Sequence, residues 1–382
     1  MKQQSTTISL LDKYGTYLIV LCWFLSLSVY YNLFGIFTQL EAEKYIYQAN
    51  YLLRYGGMSA SRYWFYATTI FIIALATKIK IGLVGAFIIQ ALINFFAYLF
   101  FYKALKTVFT NATAILIILY LLTFLPYQSW VVYLYTESIF YSTILILLST
   151  LILYKPDSIG NVAIICAALV LTVVSRPLGI LFAISTYFCL FYSANRKWRI
   201  ILLCGAVVLL TIFYFIINTI FSSIEDWTIT KPFEEENIIC DLPSTIHSTT
   251  LYLDKSASPA YQLLYYIYHN FDHFIHYAGI KLRYFFLMRR DYFSNKHNFY
   301  LLLNIIPVYL LGIGSFFIKN EKFRKEITAF LICSIFLYAV TIVLQCDDYH
   351  NRFVLSIYPF FVLLAAKTAE FLVMKISKTK ED

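Results

Sequence analysis

Long apolar blocks recur along this chain from Tyr17 to Met374, and short polar loops separate most of them. Many of the blocks approach the ~20 residues with which a helix crosses a bilayer. Ten read as spanning helices, near residues 17–38, 81–106, 112–135, 137–154, 161–175, 178–194, 198–221, 298–318, 326–345 and 353–374. Another block, 63–77, is only about 22 Å long at 1.5 Å per residue. It opens on Arg62-Tyr63-Trp64-Phe65-Tyr66, the aromatic mix of an interfacial belt. Parity places it as well. Three apolar blocks lie between Glu41 and Glu137, two acids that belong at the same membrane face, and an odd number of crossings cannot return the chain to that face. The 63–77 block is therefore assigned to the outer surface, at the cost of leaving Lys78 and Lys80 outside.

The expected fold class is all-α: a polytopic transmembrane helical bundle of about ten spanning helices, with surface-lying helices in the first outer loop and one large outer loop. The expected divisions are an N-terminal transmembrane catalytic module, 1–221, with its first outer loop at 39–80; an outer segment, 222–297; and C-terminal transmembrane helices with a cytoplasmic tail, 298–382. No internal repeat is apparent.

Composition makes the lipid medium firmer. Hydrophobic residues are 60% of the chain and charged ones 13%, against ~45–50% and ~25% in soluble domains. The formal charge of +9 would point to a polyanion in a soluble protein. Here the basic residues gather in short loops, as the positive-inside rule expects, so no nucleic-acid partner is predicted. The runs at 195–199, 319–325 and 375–380 are read as cytoplasmic, which puts both termini there. The first block is too long for the apolar region of a signal peptide and lacks a small-residue cleavage site, so it reads as a retained anchor. The expected location is a multi-pass integral membrane protein, of a bacterial inner membrane. Five of the seven cysteines (Cys22, Cys166, Cys189, Cys204, Cys333) sit in apolar blocks without metal-like spacing. Cys240 and Cys346 fall in polar stretches on the outer side, which leaves a disulfide between them open.

The candidate chemistry lies where polar residues interrupt this pattern. Glu41 and Glu43 directly follow the first crossing, where a partly dehydrated carboxylate is suited to general-base work; the plainer reading is a solvated helix start favoured by the dipole. Glu137 stands between apolar runs, and acids at membrane depth are costly and usually functional, unless it only ends two crossings. Arg62, Arg176, His350 and Arg352 fall on the outer boundary, where the positive-inside rule disfavours cations. Singly each reads as a snorkelling helix end; together they suit a phosphate.

These residues resemble the GT-C superfamily of membrane glycosyltransferases. Glu41 precedes Tyr45 and Ala49 as the family's acidic motif does, with Glu where Asp is usual. Thr136-Glu137-Ser138 resembles an acidic site of lipid A aminoarabinose transferases, and Ser175-Arg176-Pro177 a common family turn. His350-Asn351-Arg352-Phe353 with Tyr358-Pro359 is similar to a signature of dolichyl-phosphate-mannose-dependent mannosyltransferases. The resemblance implies inverting transfer from a polyprenyl-phosphate sugar donor to a glycan, lipid or protein hydroxyl acceptor on the outer face. Glu41 or Glu43 would be the base, Glu137 would orient the acceptor or an arginine, and Arg62, Arg176, His350 and Arg352 would hold the phosphate. No cofactor and no metal site is assigned, and the pattern leaves divalent-metal dependence open. A transporter or flippase of lipid-linked glycans, or a glycan polymerase or ligase, is the alternative.

Overall fold

The computed structural model describes residues 2–194, 196, 198–200, 202–207, 211, 214, 229–240, 250–318 and 323–379. Among them the secondary structure is helical, with two isolated β-bridges. The principal helices are α1 (Lys2–Phe34), α2 (Glu41–Tyr55), α3 (Ala67–Lys78), α4 (Gly82–Leu105), α5 (Asn111–Thr123), α6 (Leu125–Gln128), α7 (Thr136–Leu153), α8 (Ile159–Val173), α9 (Gly179–Ser193), α10 (Lys231–Glu234), α11 (Pro259–His269), α12 (Phe271–Leu287), α13 (Asn295–Gly314), α14 (Lys325–Leu344) and α15 (Arg352–Thr379).

Six segments among the described residues are long and apolar enough to cross a membrane: Lys13–Phe34, Gly82–Leu105, Thr136–Leu153, Asn295–Phe317, Lys325–Leu344 and Arg352–Ile376. A seventh is available if α5 and the segment Leu125–Val132, bent by 70°, form one broken span. The multi-pass helical character stands, and among the described residues the expected count of about ten is not reached. α8 and α9 have 15 residues each, about 22 Å of helix against a hydrocarbon core of ~30 Å. The expected span 198–221 lies largely outside the described residues, as do parts of the basic runs 195–199, 319–325 and 375–380. Six or seven such segments among the described residues do not fix both termini on one face. The 63–77 block forms a 3-10 turn, Ser61–Tyr66, and the 12-residue α3, which is too short to span.

The chain divides into two units: Met1–Tyr187 with Pro307–Leu331 and Leu355–Asp382, and Phe188–Ile306 with Ile332–Val354. In the first, α7 is the central pillar, packed by α4 and α8 and buried along almost its whole length, whereas much of α1 is exposed. Four of its hydroxyl residues, Ser142, Thr143, Ser149 and Thr150, are tolerated there because they return their hydroxyls to their own helix, as Ser142 Oγ does to the Ser138 carbonyl at 2.7 Å and Ser149 Oγ to Leu145 at 2.6 Å. The break after Phe124 frees backbone carbonyls that lipid cannot satisfy. Gln90 on α4 donates to two of them, Val131 at 3.0 Å and Tyr133 at 2.8 Å. Asn94, one turn on, accepts from Trp23 Nε1 and Gln128 Nε2, each at 2.9 Å, and donates to Ser142 Oγ at 3.2 Å. Each amide answers a group otherwise stranded in an apolar interior.

In the second unit, Phe233, Tyr266 and Tyr277 form a buried cluster beneath α11 and α12. Cys240 and Cys346 are joined in a disulfide, and the adjoining bridge is closed by Asp347 N–H on the Ile238 carbonyl (2.8 Å) and Cys240 N–H on the Asp347 carbonyl (2.9 Å). Lys281 on α12 is wholly buried. Its ammonium donates to the carbonyls of Val343 and Gln345 at the end of α14, with the Phe233 and Tyr277 rings 4.7 and 4.8 Å away. The helix end and the rings favour the charged form. Burial opposes them and prevails, pulling the group down to about 7.

Two consequences are measurable. Because Lys281 titrates near 7 in the fold and near ~10.4 when unfolded, the unfolded chain binds more protons between those values, so stability rises with pH across that window. The thermal midpoint of purified protein should climb from pH 7 to 9.5 relative to Lys281→Met; parallel profiles would refute the assignment. The disulfide closes a sequence separation of 106, for which loop closure is worth on the order of 4–5 kcal/mol. Cys346→Ser should accordingly lower the midpoint strongly, and reductant should do so in wild type but not in the variant.

Candidate active site

The first unit brings two distant acids together through its backbone. Phe37 bridges the strand-like segment before α7: its N–H donates to Val132 O at 3.0 Å, and Leu134 N–H donates to its carbonyl at 3.0 Å. The start of α2 therefore lies beside the start of α7. Tyr135 OH donates to the Gln39 carbonyl and receives the Glu41 N–H, both at 3.3 Å. Leu40, with φ +55°, enters α2 in the left-handed region without a side-chain cap, so Tyr135 meets a donor that the helix start leaves open.

Glu41 and Glu43 share the first turn of α2 and part there. Glu43 is exposed. Glu41 has a side chain 23% exposed, and its Oε1 accepts from Lys44 Nζ at 2.6 Å and from Tyr45 OH at 2.9 Å. Lys44 also lies 4.9 Å from the Tyr45 ring and 5.5 Å from that of Tyr66. Tyr45 is fully buried, and its phenol is pushed far above the usual range by burial first, then by Glu41 and Glu137, against the opposing field of Arg176. These three groups thus act on one phenol, although 96 residues separate Glu41 from Glu137.

Glu137 is 0% exposed and forms an ion pair with Arg176, itself 8% exposed. Arg176 occupies the turn between α8 and α9. Thr68 at the start of α3 ties that turn down, donating its hydroxyl to Ser175 Oγ at 2.8 Å, while its N–H meets Val174 O at 3.4 Å. Gly179 lets the turn close, because a Cβ there would stand 2.5 Å from the Thr172 carbonyl oxygen.

The other expected site residues fall elsewhere. Arg62 is exposed, with its guanidinium carbon 5.3 Å from the Tyr63 ring centroid, and has no hydrogen bond or ion pair to Glu41, Glu137 or Arg176 among the described residues. Arg352 and His350 belong to the second unit and meet at Asp348. Arg352 grips that carboxylate with Nε and Nη2, both at 2.6 Å, and His350 N–H donates to it at 3.0 Å. Beside it Arg290 and Asp347, both wholly buried, form a second ion pair. Burial raises the Asp347 carboxyl to about 6 despite the opposing Arg290 charge. Lys44, Asp347, Asp348 and Arg290 are missing from the sequence-based site. The four-residue interval from Asp348 to Arg352 signals their pairing, whereas nothing local marks Arg290 as a partner of Asp347. No group of three or more metal-ligating side chains occurs among the described residues. Comparison with family models, characterised proteins and solved structures finds no match to this chain.

The buried pair makes a stability prediction. Arg176→Ala leaves Glu137 charged and uncompensated, which should cost roughly 3–5 kcal/mol, while replacing both partners (Glu137→Leu with Arg176→Met) should recover most of it. Thermal unfolding of the three proteins checks this; an Arg176→Ala protein as stable as wild type would contradict it.

Proposed function

We propose that this chain is a membrane glycosyltransferase of the GT-C kind, moving a sugar by inversion from a polyprenyl-phosphate donor to a hydroxyl acceptor on the outer face of the membrane. The observation that carries the reading is the grouping of Glu41, Tyr45, Glu137 and Arg176 at the point where α2, α7 and the α8–α9 turn begin or end. Glu41 takes the proton from the acceptor hydroxyl as its oxygen attacks the anomeric carbon; the bond from that carbon to the phosphate oxygen breaks, and polyprenyl phosphate leaves. Glu41 suits this role better than Glu43 because it is half-sheltered and positioned by two donors. Arg176, oriented by Glu137, meets the charge that develops on the leaving phosphate. Arg62 is assigned as a peripheral phosphate contact.

Orientation has support of its own. A disulfide persists in an oxidising compartment, so Cys240 and Cys346 belong on the outer side. The span Arg352–Ile376 follows Cys346 directly, and one crossing carries the C-terminal basic run to the cytoplasm.

The test is turnover by purified protein in nanodiscs against a panel of polyprenyl-phosphate sugars. Glu41→Gln should lower transfer by ~10²–10⁴-fold with donor binding unchanged, and Glu43→Gln should stay near wild type. A dead Glu43→Gln beside an active Glu41→Gln would move the base by two residues. Full activity in both would sink proton chemistry at either acid and favour transport of the lipid-linked glycan.

A further inference from the structure

A separate set of charges surrounds a cavity in the second unit. Arg283, Tyr284 and Leu287 on the last turns of α12, with Arg289 and Asp291 from the loop that follows, line a small cavity that opens to solvent. Its frame is fixed by backbone geometry. Met288 ends α12 in the left-handed region at φ +54°, and its carbonyl accepts from Asn351 Nδ2 at 2.9 Å, Asn351 itself having φ +60°. Conformations of that kind persist in non-glycine residues where surrounding contacts hold them. The reversal sends two adjacent arginines opposite ways. Arg290 turns inward, donating to Tyr284 O at 2.8 Å and pairing with Asp347, while its N–H is held by Asn298 Oδ1 at 3.1 Å. Arg289 remains exposed at the cavity.

Arg176, Arg290 and Arg352 each have a carboxylate partner. Among the described residues neither Arg283 nor Arg289 has one, so two guanidinium forks, each with five N–H donors, face one cavity without an ion-pair partner. The one acid present, Asp291, is drawn aside by Tyr284, whose hydroxyl donates to its Oδ2 at 2.5 Å. Burial and this hydrogen bond raise the Tyr284 phenol, which therefore stays a donor. Asp291 offsets one of the two guanidinium charges, and the negative end of the α12 dipole, worth roughly half an elementary charge, opposes an anion further, so the lining keeps a net positive charge of about one half. The Tyr284 ring and Leu287 supply an apolar wall.

We infer that this cavity binds a phosphate ester whose alcohol portion carries a free hydroxyl: Arg283 and Arg289 clasp the phosphate, the second oxygen of Asp291 accepts the hydroxyl, and Tyr284 with Leu287 covers the carbon chain. The site is independent of sugar transfer by the first unit. The same chemistry is presented by a soluble polyol phosphate and by a phosphatidylglycerol headgroup, and two arms separate them. In one, glycerol 3-phosphate is titrated calorimetrically into the full-length protein in a neutral detergent. In the other, phosphatidylglycerol or phosphatidylcholine is added to the same protein and the retained lipid is read by native mass spectrometry. Wild type should bind glycerol 3-phosphate, or retain phosphatidylglycerol over phosphatidylcholine, and the arm that responds identifies the source. The double variant Arg283→Gln with Arg289→Gln should weaken that binding at least about tenfold, since two charge-assisted contacts are lost; both side chains are exposed, so its thermal midpoint should match wild type. Asp291→Asn should lose the preference for glycerol 3-phosphate over inorganic phosphate. Wild type binding neither probe, or a double variant binding as tightly as wild type, would overturn the proposal.

Discussion

Glu137 and Arg176 set the terms on which the first unit can fold. A carboxylate with no exposure, at the mouth of the most buried apolar helix, is tolerable only beside a cation that is itself held in place. That need reaches outward through several elements. Arg176 requires the α8–α9 turn, the turn requires Gly179 against the Thr172 carbonyl, and Thr68 of α3 closes it from the other side. The short α3 is thereby anchored at its first turn to the unit's interior, and its twelve residues have a structural task other than crossing a bilayer.

Both units solve the same difficulty, the cost of polar groups in apolar surroundings, by non-local pairing. In the first, Gln90 and Asn94 answer carbonyls and side chains freed by the bend after Phe124. In the second, Lys281 answers the last carbonyls around the end of α14, and Arg290 answers Asp347 next to the disulfide. Each solution uses a polar side chain to finish the hydrogen bonding of a segment remote in sequence, so these residues define register that apolar packing alone would leave loose.

What was legible in the sequence follows from range. Apolar block length reveals α1, α4, α7, α13, α14 and α15 because membrane crossing is a local property of composition. The same rule overcounts at α8 and α9, where apolar character continues through a turn that the Arg176-Pro177 dipeptide cuts, leaving two helices of fifteen residues. In the site, Glu41, Glu137 and Arg176 are conspicuous as charges within apolar runs, and the Tyr45 spacing is visible on the same helix. That Phe37 would bridge Tyr133 is not visible, since a two-residue bridge has no periodicity to detect. Asp347 and Arg290, separated by 57 residues, are illegible for the same reason: their pairing depends on the left-handed turn at Met288, which a methionine does not advertise.

Tyr45 gives the arrangement of the two acids a chemical meaning under the catalytic reading. Its phenol is held far above the usual range, so at ordinary pH it can donate a hydrogen bond to Glu41 but cannot take a proton from a neighbour or pass one through its anion. It therefore insulates as much as it positions. A proton arriving on Glu41 has no conducting partner in Tyr45 toward Glu137. Separate duties of this kind are what an acceptor-activating base and a phosphate-facing arginine need if the two act in one step, because a carboxylate that shared its proton with Glu137 would loosen the arginine just as the leaving group develops its charge.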